Sequence, residues 1–361
     1  MTKKTPRIEI DLAKIAHNVR TLIESYGAKG IRSFIGVTKG VCGDPVIARV
    51  FRKNGISILA DSRIENFQRM EEAGIRRPFL LLRLPTLSEV EAVVGHTEYS
   101  LNSEISVIRG LSEAALKNNT VHKVILMVEL GDLREGVMPQ DLEAITEEVL
   151  PLKGVKLVGI GSNLGCYGGV EPDDKNMSLL SSLAQGLEKK YRLQLQFVSI
   201  GCSNTFTWLK AVQETKRIDN VRVGDALLLG GRDLKEHGIP GLYYDAFTLI
   251  AEVIEAKTKP SVPWGEIGLD AFGSIPKFED RGEMRRLILN IGRQDFFFTL
   301  IYPRVDIEIL GASSDHLLAD GRRTGLQVGD EVAFDLDYGA MLVAMTSPYV
   351  QKIYLNSEGY L

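Results

Sequence analysis

Cysteine is scarce in this sequence. Cys42, Cys166 and Cys202 are an odd number at unrelated spacings, so they frame no disulfide scaffold. Histidine is limited to five residues, none beside a cysteine at ligand spacing, and no metal site is expected. No stretch approaches the roughly 20 apolar residues of a spanning helix. Neither sign of charge dominates: 43 basic against 47 acidic residues leave a net charge of −4, which gives no reason to expect nucleic acid or an anionic membrane as a partner. The opening Met1-Thr-Lys-Lys4 has no apolar run behind its lysines, so no signal peptide is expected, and the chain reads as a reduced, cytoplasmic protein. A Gly-x-Gly-x-x-Gly signature is also missing after the first candidate strand, which counts against an open dinucleotide-binding sheet.

What is present is ordinary globular material, 44% hydrophobic and 25% charged over 361 residues, enough for about two domains. Short apolar runs at 33–38, 56–60, 78–82, 98–101, 123–130, 156–161, 196–200 and 221–229 alternate with amphipathic helical patterns such as 63–73, 103–117 and 179–190. Eight βα repeats over about 200 residues predict a closed (β/α)₈ TIM-type barrel. A helix precedes the first barrel strand, with Asp11 as its cap and Leu12, Ile15, Val19, Leu22 and Ile23 as its apolar stripe. After His237-Gly-Ile-Pro-Gly241 the texture turns β-rich, in runs at 247–256, 286–291, 304–310, 330–336 and 350–355. The expected division is a barrel over 1–239 and a mostly antiparallel β domain over 240–361.

Barrels carry their reactive groups at the C-terminal ends of the strands and commonly bind phosphate after strands 7 and 8. Lys39 closes the first apolar run, Ser33-Phe-Ile-Gly-Val-Thr-Lys39. A lysine buried there costs free energy unless it is paired or chemically used, and a desolvated lysine has a depressed pKa that makes it a nucleophile for Schiff-base chemistry. The bland alternative is a lysine that snorkels into solvent. The seventh run ends in Gly201-Cys-Ser203-Asn204-Thr205, where Gly201 permits close backbone approach and the hydroxyls and following helix N–H groups suit an anion. The same residues also make a common turn and helix cap. A lysine and a phosphate loop at those two positions favour an aldehyde cofactor bearing a phosphate, and pyridoxal phosphate meets both demands.

These residues resemble the fold-type III pyridoxal-phosphate enzymes, specifically the two-domain alanine racemase-like amino-acid racemases. Glu9-Ile-Asp11-Leu-x-x-Ile-x-x-Asn18 is similar to that family's opening segment, and Val37-Thr-Lys39-Gly to its cofactor-lysine segment. Ser203-Asn204-Thr205 is similar to its phosphate loop, Arg222-Val-Gly-Asp-Ala-Leu-Leu-Leu-Gly230 to its last barrel strand, and Gly292-Arg293-Gln-Asp295 to a second-domain segment bordering substrate. Three positions depart from alanine racemase proper. Cys42-Gly-Asp-Pro45 replaces the tyrosine that reaches the phosphate, Asn163 replaces the histidine of strand 6, and Trp264-Gly265 replaces the Tyr-Gly that carries the opposite-face base. In these the chain resembles the ornithine and basic amino-acid racemase branch.

The resemblance implies an isomerase that interconverts L- and D-amino acids, a basic one such as ornithine or lysine with alanine as a further substrate. Lys39 would hold the cofactor and shuttle a proton at Cα. Gly201, Ser203, Asn204 and Thr205 would take the phosphate, with Asn163 also bordering the cofactor. Arg222 would face the pyridine nitrogen and, never losing its proton, keep the ring a weak electron sink that favours racemisation over transamination. The second proton-transfer group is sought in Cys166 or Tyr167, or in Glu266 of a partner subunit. Arg134 is a candidate for the substrate carboxylate, or else a surface salt bridge with Glu135 or Asp132, and Arg83 is a further charge at the barrel mouth. Trp264, Glu266 and Asp295 complete the substrate candidates, and acidic segments at 264–266, 278–280 and 335–337 offer acceptors for a distal ammonium. The family's head-to-tail homodimer is expected. A pyridoxal-phosphate carrier and a basic amino-acid decarboxylase are the alternatives. About 120 residues beyond Pro240 argue against the first, because the single-barrel carriers lack a second domain, and the lack of a Gly-rich phosphate signature or late Cys-Asp pair argues against the second.

Overall fold

Eight parallel strands close on themselves. A computed structural model describes residues 4–231 and 238–360. The barrel strands are β2 (Ser33–Val37), β3 (Ile58–Asp61), β4 (Phe79–Leu81), β5 (Tyr99–Asn102), β6 (His122–Met127), β7 (Val155–Asn163), β8 (Phe197–Gly201) and β9 (Asn220–Val223), each hydrogen-bonded to the next and β9 back to β2. Their interior is packed solid. Ile35, Val37, Ile58, Ala60, Leu80, Tyr99, Leu101, Ile125, Met127, Val158 and Phe197 form one buried cluster, as the layered core of such a barrel requires. Tyr99 and Phe197 meet edge to face, centroids 5.7 Å apart.

Helices α1 (Leu12–Gly27), α2 (Pro45–Lys53), α3 (Ile64–Glu72), α4 (Val90–His96), α5 (Ile105–Lys117), α6 (Leu142–Val149), α7 (Asp174–Tyr191), α8 (Thr205–Ala211) and α9 (Asp225–Leu229) connect the strands. Local chemistry starts and stops them. Asp44 accepts the Val46 and Ile47 N–H groups at 3.0 Å ahead of Pro45, which opens α2. Asp173 and Asn176 form a reciprocal capping box at 2.8 and 2.9 Å, so α7 begins five residues before the predicted 179. None of the helices among the described residues is long and apolar enough to cross a membrane.

The other unit is built on β10 (Phe247–Pro260), β11 (Glu283–Leu289), β12 (Ile301–Pro303), β13 (Glu308–Ala312), β14 (Leu317–Asp320) and β15 (Glu331–Leu336), in the antiparallel order β12-β15-β10-β11-β14-β13. The 14-residue β10 serves two sets of partners, pairing β15 along its first half and β11 along its second, with an irregularity at Val253/Glu255. Helix α10 (Tyr338–Thr346) buries Ala340, Met341, Ala344 and Met345.

Three expectations need correction. The division at 239/240 is misplaced: one unit takes Met1–Leu12 with Asp245–Ser357, and the other takes Ala13–Tyr244 with Glu358–Leu361. The cause is β1 (Arg7–Asp11), which runs antiparallel to β10 and parallel to β16 (Gln351–Leu355), a strand whose sequence neighbours give no hint of it. His237, used to mark that boundary, lies outside the described residues. The eighth strand stops at Val223, and the rest of the predicted 221–229 run is helix α9, whose Ala226–Leu229 are all buried. An apolar run buried on every side has no period to separate strand from helix. Strands β12 and β14 and helix α10 are additions to the predicted β-rich runs.

Candidate active site

The C-terminal ends of the barrel strands gather an unbroken series of polar side chains. Arg222, on β9, is 3% exposed and points across the barrel end. Its Nη1 donates to Ser199 Oγ at 2.6 Å, and Nη2 donates to the Ser162 carbonyl at 2.9 Å and to Asn163 Oδ1 at 2.8 Å. All three acceptors are neutral. Burial pushes the guanidinium down to about 10, while Glu135 pulls the other way, so it stays charged at neutral pH. Arg222 does not pair with Asp219, which Arg217 takes at 2.6 Å.

Asn163, at the end of β7, passes the series on through Nδ2 to Glu135 Oε1 at 2.6 Å. Glu135 in turn is paired with Arg134, whose Nη2 reaches Oε1 at 2.6 Å, and Arg134 Nη1 donates to Cys166 Sγ. The salt-bridge alternative for Arg134 is therefore realised with Glu135, and that carboxylate holds the guanidinium above its ordinary range. Asp132 is 1% exposed and accepts the N–H groups of Cys166, Tyr167 and Gly168 at 3.2, 2.9 and 3.1 Å. Burial works against its charge, yet these donors outweigh it and hold the carboxyl below its ordinary value. Asp132 thus pins the loop that carries both candidate proton-transfer groups. Cys166 is exposed, not the buried thiol of an ordinary core cysteine, and Tyr167 is 77% exposed.

Two glycines give Arg222 its room. A Cβ on Gly201 would stand 1.8 Å from Asn163 Oδ1 and 2.7 Å from Arg222 Nη2, and one on Gly161 would stand 3.1 Å from Arg222 Nη1. The close approach that Gly201 permits is therefore to these side chains, a use the sequence did not disclose. Beyond it, Cys202 adopts φ 72° and donates to the Leu164 carbonyl at 2.9 Å. Ser203 Oγ accepts the Ala226 N–H at 2.9 Å, and its own hydrogen has no acceptor among the described residues. Thr205 donates to the Cys202 carbonyl at 2.7 Å and keeps lone pairs only, while the Asn204 side-chain amide is likewise unspent among the described residues. The unspent Ser203 hydroxyl and Asn204 amide, at the start of α8, fit a phosphate.

Lys39 requires a correction. Strand β2 ends at Val37, and Lys39 opens a single 3₁₀ turn, Lys39–Val41, with its side chain exposed at the barrel mouth. It is not the buried lysine that the apolar run suggested, because the run ends two residues earlier. Its approach is fixed instead by Thr38, whose Oγ1 donates to Asp61 Oδ2 at 2.7 Å. Asp61 is fully buried and also accepts from Ser62 N, Arg63 N and Asn66 Nδ2 at 2.7, 3.2 and 2.8 Å. Arg83 is held by both oxygens of Glu89 at 2.8 Å and is not a free charge.

Trp264, Glu266 and Asp295 belong to the other unit. Trp264 is 84% exposed and Glu266 is exposed, on the segment between β10 and β11. Asp295 is 3% exposed and accepts from Ser347 Oγ at 2.7 Å, so it braces the end of α10 and is not presented to a ligand. Of the acidic candidates for a distal ammonium, Asp280, Asp335 and Asp337 already serve Ser261, Arg304 and Tyr302, whereas Glu266 has no partner among the described residues. Sequence reasoning missed Ser199 and Asp61, and named Glu135 only as a salt-bridge partner of Arg134, not as the link to Asn163. Ser199 and Asp61 carry no local signal.

The alanine racemase N-terminal domain model matches residues 10–231. The chain belongs to the alanine racemase family. It is 40% identical over 351 residues to an ornithine racemase of Acetoanaerobium sticklandii, covering 96% of this chain and 99% of that one. It is also 40% identical over 352 residues to a lysine racemase of Thermotoga maritima, covering 97% and 98%. The solved alanine racemase of a D-cycloserine-producing Streptomyces lavendulae superposes with a TM-score of 0.77 at 18% identity, over 99% of this chain and 98% of that one, which establishes the shared barrel and β domain.

Proposed function

We propose that this chain is a pyridoxal-phosphate-dependent racemase of a basic amino acid, ornithine or lysine, acting in the cytoplasm as a head-to-tail homodimer. The observation that carries the reaction class is Arg222: a charged guanidinium, 3% exposed, fixed by three neutral acceptors at the end of the barrel. The two relatives named for ornithine and lysine supply the substrate class.

Pyridoxal phosphate, when bound, supplies an electron sink that acidifies the Cα–H of an amino acid attached through its amine. This chain's residues do the rest. Lys39 would hold the cofactor and move a proton at Cα. Ser203 and Asn204 would take the phosphate through side-chain donors they do not spend within the protein, with Thr205 shaping the turn through its bond to the Cys202 carbonyl. Arg222 would face the pyridine nitrogen and, because a guanidinium does not give up its proton, would leave that nitrogen unprotonated and the ring a moderate sink. Density retained at Cα favours reprotonation there. Cys166 or Tyr167, held in place by Asp132, serves the opposite face. Arg134 has one guanidinium edge spent on Glu135 and reaches Cys166, which suits it to orient that thiol as well as a substrate carboxylate.

Glu266 is proposed to receive the substrate's distal ammonium and Trp264 to line the same site, each reaching a partner's barrel. Their exposure, with that of Leu269 (70%) and Ile275 (68%) on the same segment, supports a surface that is covered on assembly. The test is a circular-dichroism assay on single enantiomers of ornithine, lysine and alanine. Loss of optical activity from either enantiomer of ornithine or lysine is expected. Release of carbon dioxide would reassign the chain to decarboxylation, and cofactor colour without turnover would make it a carrier.

A further inference from the structure

A cavity of about 350 Å³, wide open to solvent, lies at the other end of the barrel strands, lined by Arg49, Arg52 and Lys53 at the end of α2 and by Gly74, Ile75, Arg76 and Arg77 ahead of β4. Five cations surround it in a chain whose net charge is −4. Arg77 is neutralised by Glu71 at 2.8 Å and Glu98 at 3.6 Å. None of the other four forms an ion pair among the described residues, although the charge of Glu98 also acts on Arg52. Arg49 donates to the Ala73 carbonyl at 2.8 Å, and Arg52 to the carbonyls of Ser57, Arg76 (2.7 Å) and Pro78 (3.1 Å). Lys53 reaches the Gly359 carbonyl and lies 5.6 Å from the Tyr360 ring centroid, so the chain's last residues wall one side. Arg76 is exposed and its side chain makes no bond to the described residues.

Arg52 and Lys53 have a local reason to be there, since cations complement the carbonyl end of a helix. That reason does not extend to Arg49 and Arg76. Arg49 and Arg52 are half-buried, and burial lowers the Arg52 pKa. The carbonyls hold these guanidinium planes in fixed directions but return no net charge. The half-buried Arg49 and Arg52 carry a desolvation cost that an entering anion would reduce, and the exposed Lys53 and Arg76 add charge at the rim.

We propose that this cavity is an anion site for a small molecule bearing two or more adjacent phosphate groups, separate from the site at the strands' C-terminal ends. Guanidinium groups offer phosphate oxygens paired donors, and the uncompensated Arg49, Lys53 and Arg76, with Arg52 only partly offset by Glu98, match a charge that a single carboxylate cannot supply. The volume suits a diphosphate with a small attached group. The site lies behind the barrel core from Lys39, so it does not depend on the proposed reaction.

The experiment is isothermal titration of the full-length holoenzyme, whose own phosphate loop is filled, with sodium pyrophosphate, ADP and sodium sulfate at matched ionic strength. One pyrophosphate per chain is expected to bind, sulfate at least about tenfold more weakly because it offers half the phosphate-like groups. ADP binding tighter than pyrophosphate would assign the site to nucleotides, and equal binding to the diphosphate alone. R49Q/R76Q is expected to weaken pyrophosphate by tenfold or more with racemisation rates unchanged, and R76Q alone, a substitution at an exposed side chain, to show a smaller loss. No binding of any of the three, or equal binding by the wild type and R76Q and R49Q/R76Q, would overturn the proposal.

Discussion

Replacing Gly201 by alanine is the sharpest perturbation that the site offers. The residue's φ lies outside the left-handed region, so alanine is not excluded by backbone strain and the effect is purely one of space. The new methyl carbon would overlap Asn163 Oδ1 at 1.8 Å and crowd Arg222 Nη2 at 2.7 Å. Asn163 must turn away, which breaks the 2.8 Å bond from Arg222 and the 2.6 Å bond to Glu135. A hydrogen bond to a charged group contributes about 1.5–3 kcal/mol, and overpacking adds about 1–3 kcal/mol, so G201A should cost about 3 kcal/mol or more at the site. If that loss falls on the arrangement that holds Arg222 toward the cofactor, turnover drops by at least about a hundredfold, since about 1.36 kcal/mol is tenfold in rate. The assay pairs kcat in both reaction directions with urea unfolding of the same preparation. G161A, whose methyl would stand 3.1 Å from Arg222 Nη1, should be milder at Arg222, though its 2.7 Å approach to the Ser199 carbonyl also requires a shift. Wild-type turnover and stability in G201A would refute the reasoning.

Three other outcomes are expected. Gly186 lies on α7 with no positive φ, and an added methyl there would meet nothing within 4 Å, so G186A should stabilise by about 0.5–1 kcal/mol, read as a raised urea midpoint with unchanged turnover. His122 is 2% exposed, bonded to Ser100 at 2.8 Å, and burial lowers its pKa from 6.5 to about 4. The unfolded chain therefore takes up this proton first as pH falls, so its contribution is full above 6.5 and is lost between 6.5 and about 4, on the order of 3 kcal/mol. H122N should flatten that part of the stability–pH curve, and an unchanged slope would contradict it. C166A and Y167F, assayed separately from the L and D enantiomers, should include one variant that loses Cα–H exchange from one enantiomer only; equal retention by both variants in both directions would remove both residues from the proton-transfer role.

The barrel was legible because each of its first seven strands is an apolar run with turn residues on either side, and the helices between them keep a helical period. The same signal overran at the eighth, where Ala226, Leu227, Leu228 and Leu229 are all buried in a helical turn that looks, as a sequence, like more strand. Strand β1 was invisible for a different reason: its five residues gain their meaning only from β10 and β16, more than 200 residues further along. Site chemistry divided in the same way. Arg222, Asn163 and the loop from Gly201 to Thr205 could be named from position after a strand. That Lys39 is exposed, that Cys166 faces solvent beside Arg134, and that Glu135 links Asn163 to Arg134 depend on how separate loops meet at the barrel's end. Nothing in a linear pattern specifies such meetings.

The proposed reaction requires the Lys39 amine to carry a vitamin B6 aldehyde. Borohydride reduction of the purified protein, followed by peptide mapping, tests it most directly. One reduced pyridoxyl group per chain is predicted, on Lys39, with its loss in K39A. A label on another lysine, or none after reconstitution with pyridoxal phosphate, would contradict it.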